Sequence, residues 1–171
     1  MSDNVMPARD FFEAGLPSEG VYRFEIDRMQ VREFTSQQTG DKYKKMIGTF
    51  VLQEDSQGTY EPRSKDRVSE SFPLYGKSLR RLANLFKAVT GTTPIITVND
   101  EGSEVIDFDA MADELNGGTA WGPLQHRKRQ QRLEDGTYQD TDETDSKFGW
   151  SFASTPDNVR VPHDLAARLG I

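Results

Sequence analysis

Hydrophobic positions along this chain switch between two periods. Over residues 21–37 they alternate: Tyr22, Phe24 and Ile26 share one face of a strand, then Met29 and Val31 take the opposite parity. One added residue sends every later side chain to the other face, so the inversion predicts a bulge or sharp bend near Asp27-Arg28. Thr39-Gly40-Asp41 makes the turn into a second strand over 43–53, apolar on both faces after Met46, with Gly48 as a bend. A polar loop over 54–65 leads to a third strand over 67–74, where Val68, Phe72 and Leu74 share a parity. The period then becomes helical. Within 74–91, Leu79, Leu82, Leu85, Phe86 and Val89 form one face, with Lys77, Arg80, Arg81 and Lys87 mostly on the other. Gly91 suits a left-handed helix end.

A short apolar run, Pro94-Ile95-Ile96-Thr97-Val98, follows the helix. Residues 107–115 read as a short helix capped by Asp107, with Phe108, Met111 and Leu115 on one face. A fourth strand is expected over 119–129 and a fifth over 147–154, where Phe148, Trp150 and Phe152 share parity as core residues. The segment 134–145 is expected to join them as a long loop. Residues 1–17 form a lead-in with Phe11, Phe12 and Leu16 as anchors, 18–155 the domain, and 156–171 a tail with a helix-like stretch over 163–169.

The order is three strands, a helix, a short helical insert and a two-stranded hairpin. It predicts a mainly β fold, a five-stranded barrel like the oligonucleotide-binding (OB) fold with one helix between strands three and four. An open α+β sheet built from the same elements is the alternative, because order alone does not specify pairing.

Composition narrows the chemistry. The 171 residues contain no cysteine and two histidines, His126 and His163, far apart in sequence, which argues against thiolate or histidine metal sites and nucleophilic triads. With no long apolar run and no apolar leader, the expectation is a soluble, cytoplasmic protein without membrane contact. The net charge is −7, but six carboxylates lie within 134–145, and the rest of the chain is close to neutral. Just before them stands HRKRQQR, residues 126–132. Local fields of this kind, more than net charge, steer a polyanion. The carboxylates Asp107, Asp109, Asp113 and Glu114 lie at a predicted short helix, whose cap and dipole they favour over a magnesium site, so no catalysis and no cofactor are expected.

Several spaced motifs carry a resemblance: Gly20-Val21-Tyr22-Arg23-Phe24-Glu25-Ile26, the G-x-x-Y-x-x-M-x-x-x-F strand over 40–50, and the L-x-x-L-x-x-x-x-x-A-x-x-G helix over 79–91. Asp107-Phe108-Asp109, Leu115-Asn116-Gly117 and a basic strand then follow. Over about residues 18–155 the chain resembles a family of phage-encoded single-stranded-DNA-binding proteins of the OB fold. The resemblance implies sequence-nonspecific binding and protection of single-stranded DNA in replication or recombination. The chain departs from the pattern at Pro123 and in its acidic segment. It ends in an apolar, basic run where many bacterial single-strand binders have an acidic tip.

Such binding needs cations for phosphates and aromatic faces for bases. The cationic candidates are Arg32, Lys42, Lys44, Lys45, Arg63, Lys65, Arg127, Lys128, Arg129 and Arg132. The aromatic candidates are Tyr43, Tyr60, Trp121 and the hairpin residue Tyr138, with Trp121 reading equally as platform or core. The run from Arg127 to Arg132 has two readings, DNA contact or internal pairing with the acidic segment. In the second, the acidic segment mimics a phosphate backbone that DNA displaces. A different class of function is a protein-interaction or oligomerisation module, in which the barrel and the tail over 159–171 dock a partner or a second copy and the acidic segment mimics DNA.

Overall fold

A computed structural model of the chain describes residues 4–8, 14–61 and 66–171. Five strands form one antiparallel sheet: β1 (Gly20–Thr35), β2 (Lys42–Asp55), β3 (Arg67–Pro73), β6 (Thr119–Arg132) and β7 (Tyr138–Phe148), in the order β3-β2-β1-β6-β7. Between β3 and β6 come helix α1 (Ser78–Thr90), a separate hairpin of β4 (Ile96–Val98) and β5 (Glu104–Ile106), and helix α2 (Phe108–Leu115). A 3-10 turn (Pro156–Asn158) and helix α3 (His163–Leu169) complete the chain. The anchors Phe11 and Phe12 lie outside the described residues.

The parity inversion in β1 is a bulge. Asp27 pairs with Thr49 and Gln30 with Ile47, so Arg28 and Met29 together oppose Gly48. Arg28 takes φ 57°, and a Cβ on Gly48 would lie 3.3 Å from the Met29 Cα, which explains a glycine in mid-strand. The bulge leaves the Met29 backbone without ladder partners. The Asn116 side chain supplies both, accepting from Met29 N at 2.6 Å and donating to Met29 O at 3.0 Å. The strand therefore turns its later apolar residues back onto the core, held by the loop that ends α2.

Tyr22, Phe24, Ile26, Met46, Phe50, Leu52, Val68 and Phe72 point into that core and meet Leu82, Leu85 and Phe86 of α1. Phe24 stacks on Phe50 with centroids 4.4 Å apart. Phe148 and Phe152 are buried as expected. Trp150, expected beside them, is 53% exposed, because β7 ends at Phe148 and the chain turns before it.

Two further expectations need correction. Arg81 is not on the solvent face of α1: it is buried, whereas Leu79 is exposed. The helix is rotated toward Glu70, which sits on the inward parity of β3 between Val68 and Phe72. The barrel is also not closed, since β3 and β7 form the two ends of the sheet without a shared ladder. Side chains bridge the gap. Glu70 accepts from Phe148 N at 2.6 Å and pairs with Arg81 at 3.1 Å, and Arg81 donates to Phe148 O and Gly149 O at 3.0 Å each. The guanidinium lies 4.5 Å from the Phe72 ring centroid.

The acidic segment is not a loop. Only residues 133–137 turn, around Asp135-Gly136, and the rest is β7. Asp-Gly is a strong hairpin signal, and the carboxylates gain opposite charges across the ladder, Asp145 facing Arg127.

The tail packs on its own domain: Leu165 is fully buried, and Arg168 holds Glu19 through two 2.8 Å bonds. Burial opposes ionisation of Glu19, but Arg168 and the His126 N–H outweigh it and keep the carboxyl below its ordinary range. A lowered folded pKa stabilises fully above the unfolded value and is lost as pH falls through the folded one. The melting temperature should therefore fall more steeply in the native chain than in Arg168→Met as the pH drops below about 4. Parallel melting curves would show that the pair does not secure the tail.

Candidate nucleic-acid interface

Beyond the bulge, β1 and β2 run on as a two-stranded arm. Its register sets Gln30 opposite Ile47, Arg32 opposite Lys45 and Phe34 opposite Tyr43, and these pairs share the face turned away from the core. Phe34 and Tyr43 stack with centroids 5.8 Å apart and planes at 23°. Lys45 Nζ lies 5.3 Å from the Phe34 centroid and 5.6 Å from that of Tyr43. Tyr75, exposed just after β3, meets Tyr43 edge-on at 6.2 Å.

Like charges directly opposite each other on a strand pair are destabilising. Arg32 and Lys45 stand so, and neither forms an ion pair among the described residues. An anion between them relieves the repulsion, and the neighbouring rings offer a π-face to whatever carries it. Lys42 and Lys44 occupy the other face of the arm, where Lys42 pairs with Glu33 at 3.5 Å.

The same outward parity of β2 continues from Lys45 through Ile47 to Thr49. There a shallow groove crosses to β3, lined by Thr49, Ser69 and Ser71 with Arg28 and Lys147, and by Glu70, whose carboxylate is already paired with Arg81. Hydroxyls and cations on a groove floor suit a phosphate backbone.

The second arm is the outer half of β6 with β7. Arg129 is held by Asp145 at 2.8 and 3.0 Å and by Glu143 at 2.5 Å. Those bonds hold its guanidinium charged and pull the Asp145 carboxyl below the ordinary range. Arg127 donates to Gln125 at 3.0 Å. Lys128 faces Thr144 and Arg132 faces the exposed Tyr138, neither in an ion pair among the described residues. The two arms converge at their tips, where a Cβ on Gly136 would lie 2.9 Å from Gln38 Nε2.

Of the expected residues, Arg32, Tyr43 and Lys45 thus come together, and Arg127, Lys128, Arg129 and Arg132 lie on the opposite arm. Arg63 and Lys65 lie outside the described residues. Trp121 is half-buried, paired with Arg23 in the ladder and bridged to Ala153. Tyr60 is a framework residue. Its hydroxyl donates to Asp66 at 2.8 Å and its ring meets Tyr22 edge-on at 5.4 Å. Burial, with the Asp66 carboxylate beside it, pushes its pKa to about 12.

Sequence reasoning missed Phe34 and Tyr75, which join the cluster only once the hairpin register and the end of β3 are known. It also missed a groove where the exposed Trp150 lies with Arg127, Arg160 and Asn84. Asp107, weighed as a metal ligand, caps α2 by accepting from Ala110 N at 3.1 Å. Among the described residues no group of His, Asp and Glu is arranged to hold a metal ion, and no helix is long and apolar enough to cross a membrane. No protein-family model matches this chain, and a comparison with curated proteins finds no match.

Proposed function

We propose that this protein binds single-stranded DNA without sequence specificity, using the outward face of the β1–β2 arm and the adjoining groove. The ring cluster of Phe34, Tyr43 and Tyr75, with Lys45 against it and Arg32 opposite, is the observation that carries this reading. Bases stack on such rings whatever their identity, while the paired cations take the phosphates. The strand order and the helix after β3 support an OB-type barrel whose last seam is made by side chains. In that fold the first and last hairpins flank the binding face. The role in phage replication or recombination rests on the family resemblance alone.

The deciding experiment is tryptophan fluorescence during titration with a poly-dT oligonucleotide at rising salt. Trp121 and Trp150 are the only tryptophans, so each signal is assigned by substitution. Quenching with an affinity that falls steeply with salt supports the reading, because neutralised phosphates release counterions. No binding at low salt, checked by gel shift, overturns it.

The capture of Arg129 by Glu143 and Asp145 favours one refinement, in which β7 imitates phosphates and competes with DNA for the basic strand. Glu143→Gln with Asp145→Asn should then tighten dT binding by about twofold to fivefold, the scale of one exposed ion pair released. Unchanged affinity in the gel shift would leave the acidic strand a purely structural partner.

A further inference from the structure

The β4–β5 hairpin stands apart from the five-stranded sheet. Among the described residues its strands pair only with each other, Ile96 with Ile106 and Val98 with Glu104, and neither outer edge has a neighbouring strand. Three-residue strands in a two-stranded sheet gain little stability alone. Burial does not supply the rest, since Ile95, Ile96 and Val98 are 61%, 60% and 67% exposed. By register Ile96, Val98 and Ile106 share one face with Glu104, which stands opposite Val98.

The charge of the segment that carries this face is one-sided. Between Thr92 and Asn116 there are seven carboxylates and no Lys or Arg. All seven are exposed, and none forms an ion pair among the described residues. An apolar face beside Asp100, Glu101 and Glu104 of the same hairpin carries two costs, hydrocarbon in water and mutual repulsion, and a basic, apolar partner relieves both. A polyanion is repelled. A two-fold dimer through this face is disfavoured as well, since an isologous contact would set the same carboxylates against each other.

We propose that this hairpin is a docking site for a partner protein, which adds a basic, apolar strand along one of its open edges. Backbone bonds to that edge would supply affinity, Ile96 and Val98 the apolar contact, and Asp100, Glu101 and Glu104 the preference for cations. The site is independent of the nucleic-acid interface, and its chemistry keeps the two ligands apart.

The test uses the full chain and two fluorescein-labelled dodecapeptides, one alternating Lys with Ile and Val, the other alternating Lys with Ser. By fluorescence anisotropy the apolar peptide should bind at least about tenfold more tightly, and either Ile96→Ser with Val98→Ser or Asp100→Lys with Glu104→Lys should remove about tenfold of that affinity. Hydrogen exchange should slow at Ile96–Val98 or Glu104–Ile106 when the peptide is added. Equal binding of both peptides, or unchanged binding by the variants, would reduce the attraction to bulk charge and overturn the proposal. It would equally be overturned by a native dimer in sedimentation that Ile96→Ser with Val98→Ser makes monomeric, which would assign the face to a second copy. Circular dichroism establishes that each variant folds.

Discussion

Replacing Arg81 with methionine should destabilise the protein by about 3–5 kcal/mol, the cost of leaving a buried charge without its partner. The Glu70 carboxylate, already fixed to Phe148 N, would stay in the core without its cation. Two carbonyls at the seam, Phe148 O and Gly149 O, would lose a donor in the same step. Methionine keeps most of the volume over Phe72 and Phe152, so the loss reports polar contacts more than packing. Urea unfolding measures it directly. The double variant Arg81→Met with Glu70→Leu should recover part of the loss, because two well-packed apolar residues can replace a buried pair. Full recovery is not expected, since the Phe148 N–H would then be buried without an acceptor. A loss below about 1 kcal/mol for Arg81→Met would mean that the two sheet ends are held mainly by the phenylalanine cluster.

That seam marks where sequence reading reached its limit. Element positions were legible because each has a local signal: the parity inversion at Asp27-Arg28, the helical spacing from Leu82 to Phe86, the Asp107 cap. Arg81 was misplaced because a cation on a helix is read as solvated unless its partner is known, and Glu70 is remote in the fold's logic. The clue was present in Val68-x-Glu70-x-Phe72, an acid on the inward parity of a strand. Likewise Asp135-Gly136 announced a tight hairpin, yet the density of carboxylates suggested a loop. Strands tolerate such density when the opposite strand is basic, and that depends on register. The candidate surface was half legible for the same reason. Arg32, Tyr43 and Lys45 are legible from composition, but so are Lys42 and Lys44, and Lys44, expected on the binding face, lies on the opposite face of the arm. Phe34 and Tyr75 belong to the cluster only through cross-strand register and the turn after β3.

Removing the rings of that cluster should have the largest effect on binding. Tyr43→Ala and Phe34→Ala should each weaken poly-dT affinity by about 1–3 kcal/mol, the worth of one stacked base, or roughly fivefold to a hundredfold. Tyr43→Phe should bind like the native chain, because stacking needs the ring and not the hydroxyl. Arg32→Ala should act differently, lowering affinity for all sequences and reducing the slope of log K against log salt by about one. Tyr60→Phe should leave affinity unchanged while lowering stability, since its hydroxyl serves Asp66 inside the fold. The pattern carries more than any single value. Both Phe variants should keep affinity, and only Tyr60→Phe should lose stability, which separates a contact surface from a framework residue of the same type. Should Tyr43→Ala be silent and Trp150→Ala abolish binding, the strand would instead lie in the groove of Trp150, Arg127 and Arg160, and the β1–β2 arm would lose its assigned role. Salt slopes of Arg32→Ala and Arg160→Ala decide between the two surfaces, because each surface carries its own pair of cations.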